Sequence, residues 1–379
     1  MERVLCVEEV LVFLRSGFIP NSKPFISILI ICMLSASYLH SYGCAMVLPK
    51  NVKLPAILVF GDSIVDPGNN NYINTIGKAN FPPYGRDLDG GVPTGRYCNG
   101  KVPSDLLAEE FGIKELVPPY LDPSLRINDL LTGVSFASGA SGFDPLSSTL
   151  ANTLSLDDQL KLFKEYLRKL KAAVGENATS TIISQSFYFI CAGSNDITNT
   201  YFTIPVRRLQ YNISAYTALL VHWAADFIQE LHALGARRMA LTNVPPCGCL
   251  PSQRTLQGGP LRECVVSEEQ AAVLFNSKFS SQLRSLNQKL PGSRIVVLDI
   301  YTPLLNLIVN PTRYGFEVSN RGCCGTGNIE VSFLCTRLDV GTCTDASKYV
   351  FWDSFHPTEA AYKFLVRYFI QQGVLNGLF

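Results

Sequence analysis

The sequence predicts an α/β fold, a mainly parallel sheet covered by helices on both faces. Three observations predict it. Five short, largely apolar runs lie at residues 56–60, 134–137, 187–192, 238–242 and 295–298. That is the pattern of strands buried on both faces. Amphipathic helical stripes fall between most of them, which implies βαβ units. Three of the runs stop at small or polar turns: Gly61-Asp62-Ser63, Gly139, and Gly193-Ser194-Asn195-Asp196. In a parallel sheet such turns share one edge, where open α/β sheets place their ligands.

The elements follow in order. Ala56-Ile57-Leu58-Val59-Phe60 is the first strand and ends abruptly at Ser63. Residues 72–100 are rich in Gly, Pro, Asn and Asp and read as a long loop. Pro103 to Phe111 begins like a helix, with Leu106, Leu107 and Phe111 apolar. Val134 to Ala137 is the second strand. Leu156, Leu160, Phe163, Leu167 and Leu170 mark an amphipathic helix, with Ser155 and Asp158 able to cap its start. Phe187 to Ala192 is the third strand. The stripe from Ile213 to Leu234 is a helix stopped by Gly235, and Arg238 to Thr242 is the fourth strand. Phe275 to Leu290 is a helix ended by Pro291-Gly292, and Ile295 to Leu298 is the fifth strand. Residues 311–347 form a Cys- and Gly-rich excursion, and the tail from Thr358 is helical.

No linker, charge run or repeat divides the chain after residue 50, so a single domain is expected over 52–379. The net charge is +1, from 32 basic and 31 acidic residues. With no basic cluster, nucleic acid is not an expected partner. Residues 1–45 read as a secretory signal peptide, because apolar Phe25 to Tyr38 follows Lys23-Pro24 and precedes Gly43-Cys44-Ala45. Glu2, Glu8 and Glu9 are atypical of such a leader, and an uncleaved anchor is the alternative. After processing, no stable membrane span is expected. Three of the twelve cysteines lie in the leader. Cys249, Cys264, Cys323, Cys324, Cys335 and Cys343 sit in loop-like sequence that suits disulfides in an oxidising compartment. Cys191 reads as an unpaired core residue, while Cys98 and Cys247 are open either way. Asn177 and Asn212 head glycan acceptor sequons, relevant to a secreted chain.

A serine at a strand end is a candidate nucleophile, and it needs a base, an orienting acid and an oxyanion site. Only four histidines exist. His40 is in the leader, and His222 and His232 fall off the apolar stripe of their helix. His356 remains, with Asp353 three residues before it. A carboxylate at that spacing can orient the imidazole and stabilise its charged form. Alone, Asp353 and His356 could equally be a loop pair capping the last helix. Beside Ser63 and two other strand ends they read as catalytic. The amides of Ser63 and Gly139 and the side chain of Asn195 are candidate oxyanion donors. Asp62 and Asp66 read as loop-bracing acids.

These residues resemble the plant form of the GDSL esterase/lipases, in the SGNH hydrolase superfamily. Four blocks carry the resemblance: Phe60-Gly61-Asp62-Ser63 through Asn69-Asn70-Asn71-Tyr72, Phe136-Ala137-Ser138-Gly139, Gly193-Ser194-Asn195-Asp196, and Asp353-Ser354-Phe355-His356-Pro357. It covers about residues 55–372. Cys98, where Ser is commoner, and Cys247 depart from the pattern. The resemblance implies a three-layer α/β/α sandwich with a central five-stranded sheet. It implies a secreted serine esterase or lipase acting on small-molecule, lipid or polymer esters, with no metal or other cofactor. It assigns Ser63 as nucleophile, His356 as base and Asp353 as its partner, with Gly139 and Asn195 as oxyanion donors. An acyltransferase using the same acyl-enzyme is the alternative. A non-catalytic binder on the same scaffold and a metallohydrolase are weaker readings.

Overall fold

The structure, a computed structural model, describes residues 53–338 and 340–379. The expected leader, residues 1–45, lies outside the described residues. Strands β1 (Ile57–Gly61), β2 (Phe187–Cys191), β3 (Arg238–Thr242) and β4 (Arg294–Leu298) form one parallel sheet in that order. Because side chains alternate along a strand, the sheet feeds two cores. Leu58, Phe60, Tyr188 and Ile190 pack with helices Leu156–Val174, Ile213–Ala233 and Val266–Lys289 on one face. Ile57, Val59, Phe187 and Phe189 pack with helices Pro103–Glu110, Tyr301–Val309 and Glu359–Gln371 on the other. The result is the expected α/β/α sandwich. Each such side chain, fully buried, contributes about 1.5–3 kcal/mol. The helix at Leu156 starts with the expected reciprocal cap: Ser155 Oγ accepts the Asp158 amide at 3.1 Å, and the Asp158 carboxylate accepts the Ser155 amide at 3.1 Å.

One strand is corrected. Residues 134–137 do not form a fifth strand but make isolated parallel bridges at Ser135, to Val59 on one side and to Pro119 on the other. The segment still lies along β1, through Val59 N–H to Val134 O at 3.1 Å, Phe136 N–H to Val59 O at 2.8 Å and Ser138 N–H to Gly61 O at 3.0 Å. Its outer edge faces residues 118–120, with Ser135 N–H donating to Pro118 O at 3.0 Å and Tyr120 N–H to Ser135 O at 2.9 Å. Asn69 Nδ2 also donates to the carbonyls of Ser135 and Ala137, at 2.9 and 2.8 Å.

A second sheet was not anticipated. Strands β5 (Val318–Gly322) and β6 (Tyr349–Phe351) pair in parallel. The excursion between them is crosslinked by Cys323–Cys343 and Cys324–Cys335, and Cys249–Cys264 closes an earlier loop. Cys98, Cys191 and Cys247 are free and buried. Among the described residues no helix is long and apolar enough to cross a membrane.

Candidate active site

The register of the main sheet assembles the site. Gly61 pairs with Cys191 across β1 and β2, so Asp62-Ser63 and Gly193-Ser194-Asn195 emerge side by side. The chains are close enough that a Cβ at Gly61 (φ 132°) would overlap the Cys191 carbonyl. Gln159, fully buried, clamps the Gly61 peptide: its Oε1 accepts the Gly61 amide at 2.9 Å and its Nε2 donates to the Gly61 carbonyl at 2.9 Å.

Ser63 Oγ lies 2.8 Å from His356 Nε2. His356 Nδ1 faces Asp353, 2.9 Å from Oδ1 and 2.8 Å from Oδ2. Asp353 Oδ1 also accepts the amides of Phe355 and His356, at 2.8 and 2.7 Å. A carboxylate there requires the proton on Nδ1, which leaves the Nε2 lone pair toward the serine. Asp353 is 0% exposed, His356 3% and Ser63 9%, so only the serine end touches solvent. The two helix histidines are elsewhere: His232 Nε2 bonds the Pro291 carbonyl and His222 is exposed near Asp226.

The other candidates divide. Ser63, Asn195 and His356 line an open pocket of about 200 Å³, together with Tyr97, Ala140 and Asn199. Asn195 is well oriented. Its Nδ2 donates to the Ser141 carbonyl at 2.9 Å while its Oδ1 accepts from Asn199 Nδ2 at 2.9 Å, which leaves its second N–H for the pocket. Asn199, on the π-helical segment Asp196–Thr203, was not singled out from sequence. Gly139 is corrected. Its amide, expected to face an oxyanion, donates to Asp66 Oδ2 at 2.9 Å, and the neighbouring Ala140 (φ 68°) lines the pocket instead. The cause is Asp66, a buried carboxylate that also gathers the amides of Gly68 and Asn69 at 2.8 and 2.7 Å. Gly139 needs no side chain for a different reason: a Cβ would collide with the Tyr97 hydroxyl.

Asp62 and Asp66 brace the loop as expected. Asp62 accepts the Ile64 amide at 3.0 Å and the Ser194 hydroxyl at 3.2 Å. Burial pushes both carboxyls up to about 6, against the lowering effect of these donors. A small apolar cavity of about 30 Å³ is lined by Ile64, Leu250, Leu304 and Phe355 among others, and Phe355 borders both it and the pocket. A further partner of Asp353 also escaped the sequence reading. Tyr84 Oη donates to Asp353 Oδ2 at 2.8 Å. The signal available was an aromatic residue directly after Pro82-Pro83 in a loop without periodicity.

Comparison with known proteins agrees with this fold. Residues 57–369 match the family model of the GDSL-like lipase/acylhydrolases. The GDSL esterase/lipase EXL3 of Arabidopsis thaliana is 51% identical over 344 residues, covering 91% of this chain and 94% of the relative. The GDSL esterase/lipase EXL2 of the same plant is 46% identical over 368 residues, covering 93% and 96%. A parallel α/β/α sandwich with Ser63, Asn195 and His356 around one pocket, and a match of this length, lead to one conclusion: the chain belongs to the GDSL-like lipase/acylhydrolase family and is a carboxylic ester hydrolase of the SGNH type.

Proposed function

We propose that this chain is a secreted serine esterase or lipase that cleaves acyl esters through Ser63, His356 and Asp353 and an acyl-enzyme. The observation that carries the reading is the continuous chain from Ser63 Oγ to His356 Nε2 at 2.8 Å and from Nδ1 to Asp353 at 2.8 Å. In the first half-reaction Ser63 Oγ bonds to the acyl carbon as its proton passes to Nε2. Asp353 stabilises the imidazolium. The Ser63 amide and the second N–H of Asn195 donate to the developing oxyanion. Gly139 serves by letting the turn close against Tyr97 and Asp66, rather than by donating. His356 then returns the proton to the departing alkoxide, which leaves an ester on Ser63. In the second half-reaction a water gives a proton to Nε2 as its oxygen bonds to the acyl carbon, and Nε2 then returns that proton to Ser63 Oγ as the acyl–Oγ bond breaks and the acid departs.

Three disulfides and the apolar leader support secretion. Asn177 and Asn212 are both exposed, as glycan acceptors must be. The reading takes residues 52–379 as one hydrolase domain. The test is Ser63→Ala assayed on p-nitrophenyl esters. The variant keeps the wild-type far-UV spectrum and loses turnover; retained turnover refutes the assignment.

A further inference from the structure

We infer that Tyr84 is a positioning residue of this site: its hydroxyl holds the Asp353 carboxylate and ties one wall of the ester pocket to it. The inference rests on the triad reading above. Tyr84 and Asp353 are 269 residues apart in sequence, yet Tyr84 Oη donates to Asp353 Oδ2 at 2.8 Å. The same oxygen accepts the Ser332 amide at 2.7 Å. Ser332 and Val331 line the pocket that holds Ser63 and His356. Ser332 is itself pinned to the opposite loop. Its Oγ accepts the Lys78 amide at 2.9 Å and lies 2.7 Å from the Lys78 carbonyl. One hydroxyl therefore joins the pocket wall, the 72–100 loop and the catalytic carboxylate.

The surroundings suit this use. Tyr84 is fully buried, with its ring edge-on to Phe81, Tyr97 and Trp352 at centroid distances of 5.8, 6.2 and 6.2 Å. Burial and the nearby carboxylate raise the phenol well above its ordinary value, so it stays a donor across the working pH range. Asp353 Oδ1 is held by two backbone amides, but among the described residues Oδ2 has only His356 Nδ1 and Tyr84 Oη. Without the phenol, Oδ2 keeps a single donor in a site closed to water. More of its negative charge then faces the imidazolium. The titratable groups facing the Asp353–His356 pair from other elements are Tyr84, Tyr97, Cys98, Tyr362 and Asp62. Of these, Tyr84 alone donates a hydrogen bond to the carboxylate among the described residues.

The test is Tyr84→Phe in the full chain, which removes one oxygen and keeps the ring. Steady-state kinetics on p-nitrophenyl acetate are measured from pH 4 to 9, beside the thermal midpoint. A hydrogen bond to a charged group predicts a kcat about 10-fold or more below wild type. It also predicts an acid limb of kcat/KM moved to higher pH, because the less neutralised carboxylate holds the proton on His356 more firmly. A lowered midpoint with an unmoved acid limb overturns the inference, whatever happens to kcat. Should Tyr84→Phe fail to fold, 3-fluorotyrosine at the same position gives the opposite sign. A stronger donor moves the acid limb to lower pH, and an unchanged limb overturns the inference. Labelling of Ser63 by a fluorophosphonate probe runs in parallel. Its absence sinks the triad reading itself, whereas normal labelling with an unmoved acid limb sinks only the role of Tyr84.

Discussion

Ser63 and His356, the proposed nucleophile and base, are held by two different kinds of structure. Ser63 follows β1, at the edge of a four-stranded parallel sheet buried on both faces, and its approach is clamped by Gln159 and by the Cys191 carbonyl accepting the Asp62 amide at 2.9 Å. His356 follows β6, a three-residue strand that pairs with β5 and makes one antiparallel bridge, Phe351 to Pro357, back onto its own chain. Its loop hangs on backbone bonds to a crosslinked excursion: Cys323 N–H to Phe351 O at 3.0 Å, Cys324 N–H to Trp352 O at 2.8 Å and Ser354 N–H to Glu330 O at 2.9 Å. The core behind it is a small cluster that includes Tyr84, Tyr97, Trp352 and the two adjacent disulfides. The difference teaches where precision comes from. Side-chain packing in a large core positions the serine, while crosslinks and edge-on or tilted aromatic contacts position the histidine.

The largest effects test whether both halves serve one reaction. Replacing Ser63 or His356 by Ala is expected to cost up to about 10⁶-fold in kcat, and Asp353→Asn about 10⁴-fold. Double replacement of Ser63 and His356 should cost little more than either alone. Additive losses would mean the two halves do not act as a unit. Next, Asn195→Ala removes a donor and the partner of Asn199, and should cost about 10²–10³-fold in kcat. If KM on p-nitrophenyl acetate rises instead while kcat holds, Asn195 binds the ester rather than its oxyanion.

The disulfides sharpen the comparison most directly. Joint replacement of Cys323 and Cys343 by Ala is expected to destabilise by about 2–4 kcal/mol. Because the link braces the histidine half, activity should be lost at a lower temperature than far-UV ellipticity. Coincident transitions would show the two halves to be one cooperative unit.

A smaller effect concerns pH. Burial pushes the Asp196 carboxyl, beside Asn195, up to about 8, from an ordinary value of 3.8. Between those values the folded chain holds a proton that the unfolded chain releases. This group's contribution to stability is therefore present below about pH 4 and lost as pH rises toward 8. Asp196→Asn removes that titration, so its thermal midpoint should vary less than wild type between pH 6 and 8.5. Equal slopes would contradict the buried, protonated carboxyl.

The two halves also differed in how far the sequence disclosed them. The four strands of the main sheet were legible because apolar runs buried on both faces can do little else. His356 was legible because histidine is scarce and this one carries its own acid. The second sheet was not. Val318-Ser319-Asn320-Arg321-Gly322 has no apolar pattern, since it pairs at the surface over a few bonds only. Tyr84 was hidden because its partner is 269 residues away and its loop has no period. The direction of the Gly139 amide was not legible because it depends on Asp66, which takes it together with the amides of Gly68 and Asn69.

The most direct measurement is the site of covalent capture. Wild-type enzyme is treated with a fluorophosphonate and digested, and the modified peptide is sequenced by mass spectrometry. The account predicts one adduct, on Ser63, with labelling abolished in Ser63→Ala and strongly slowed in His356→Ala. An adduct on another residue, or equal labelling of Ser63→Ala, would contradict it.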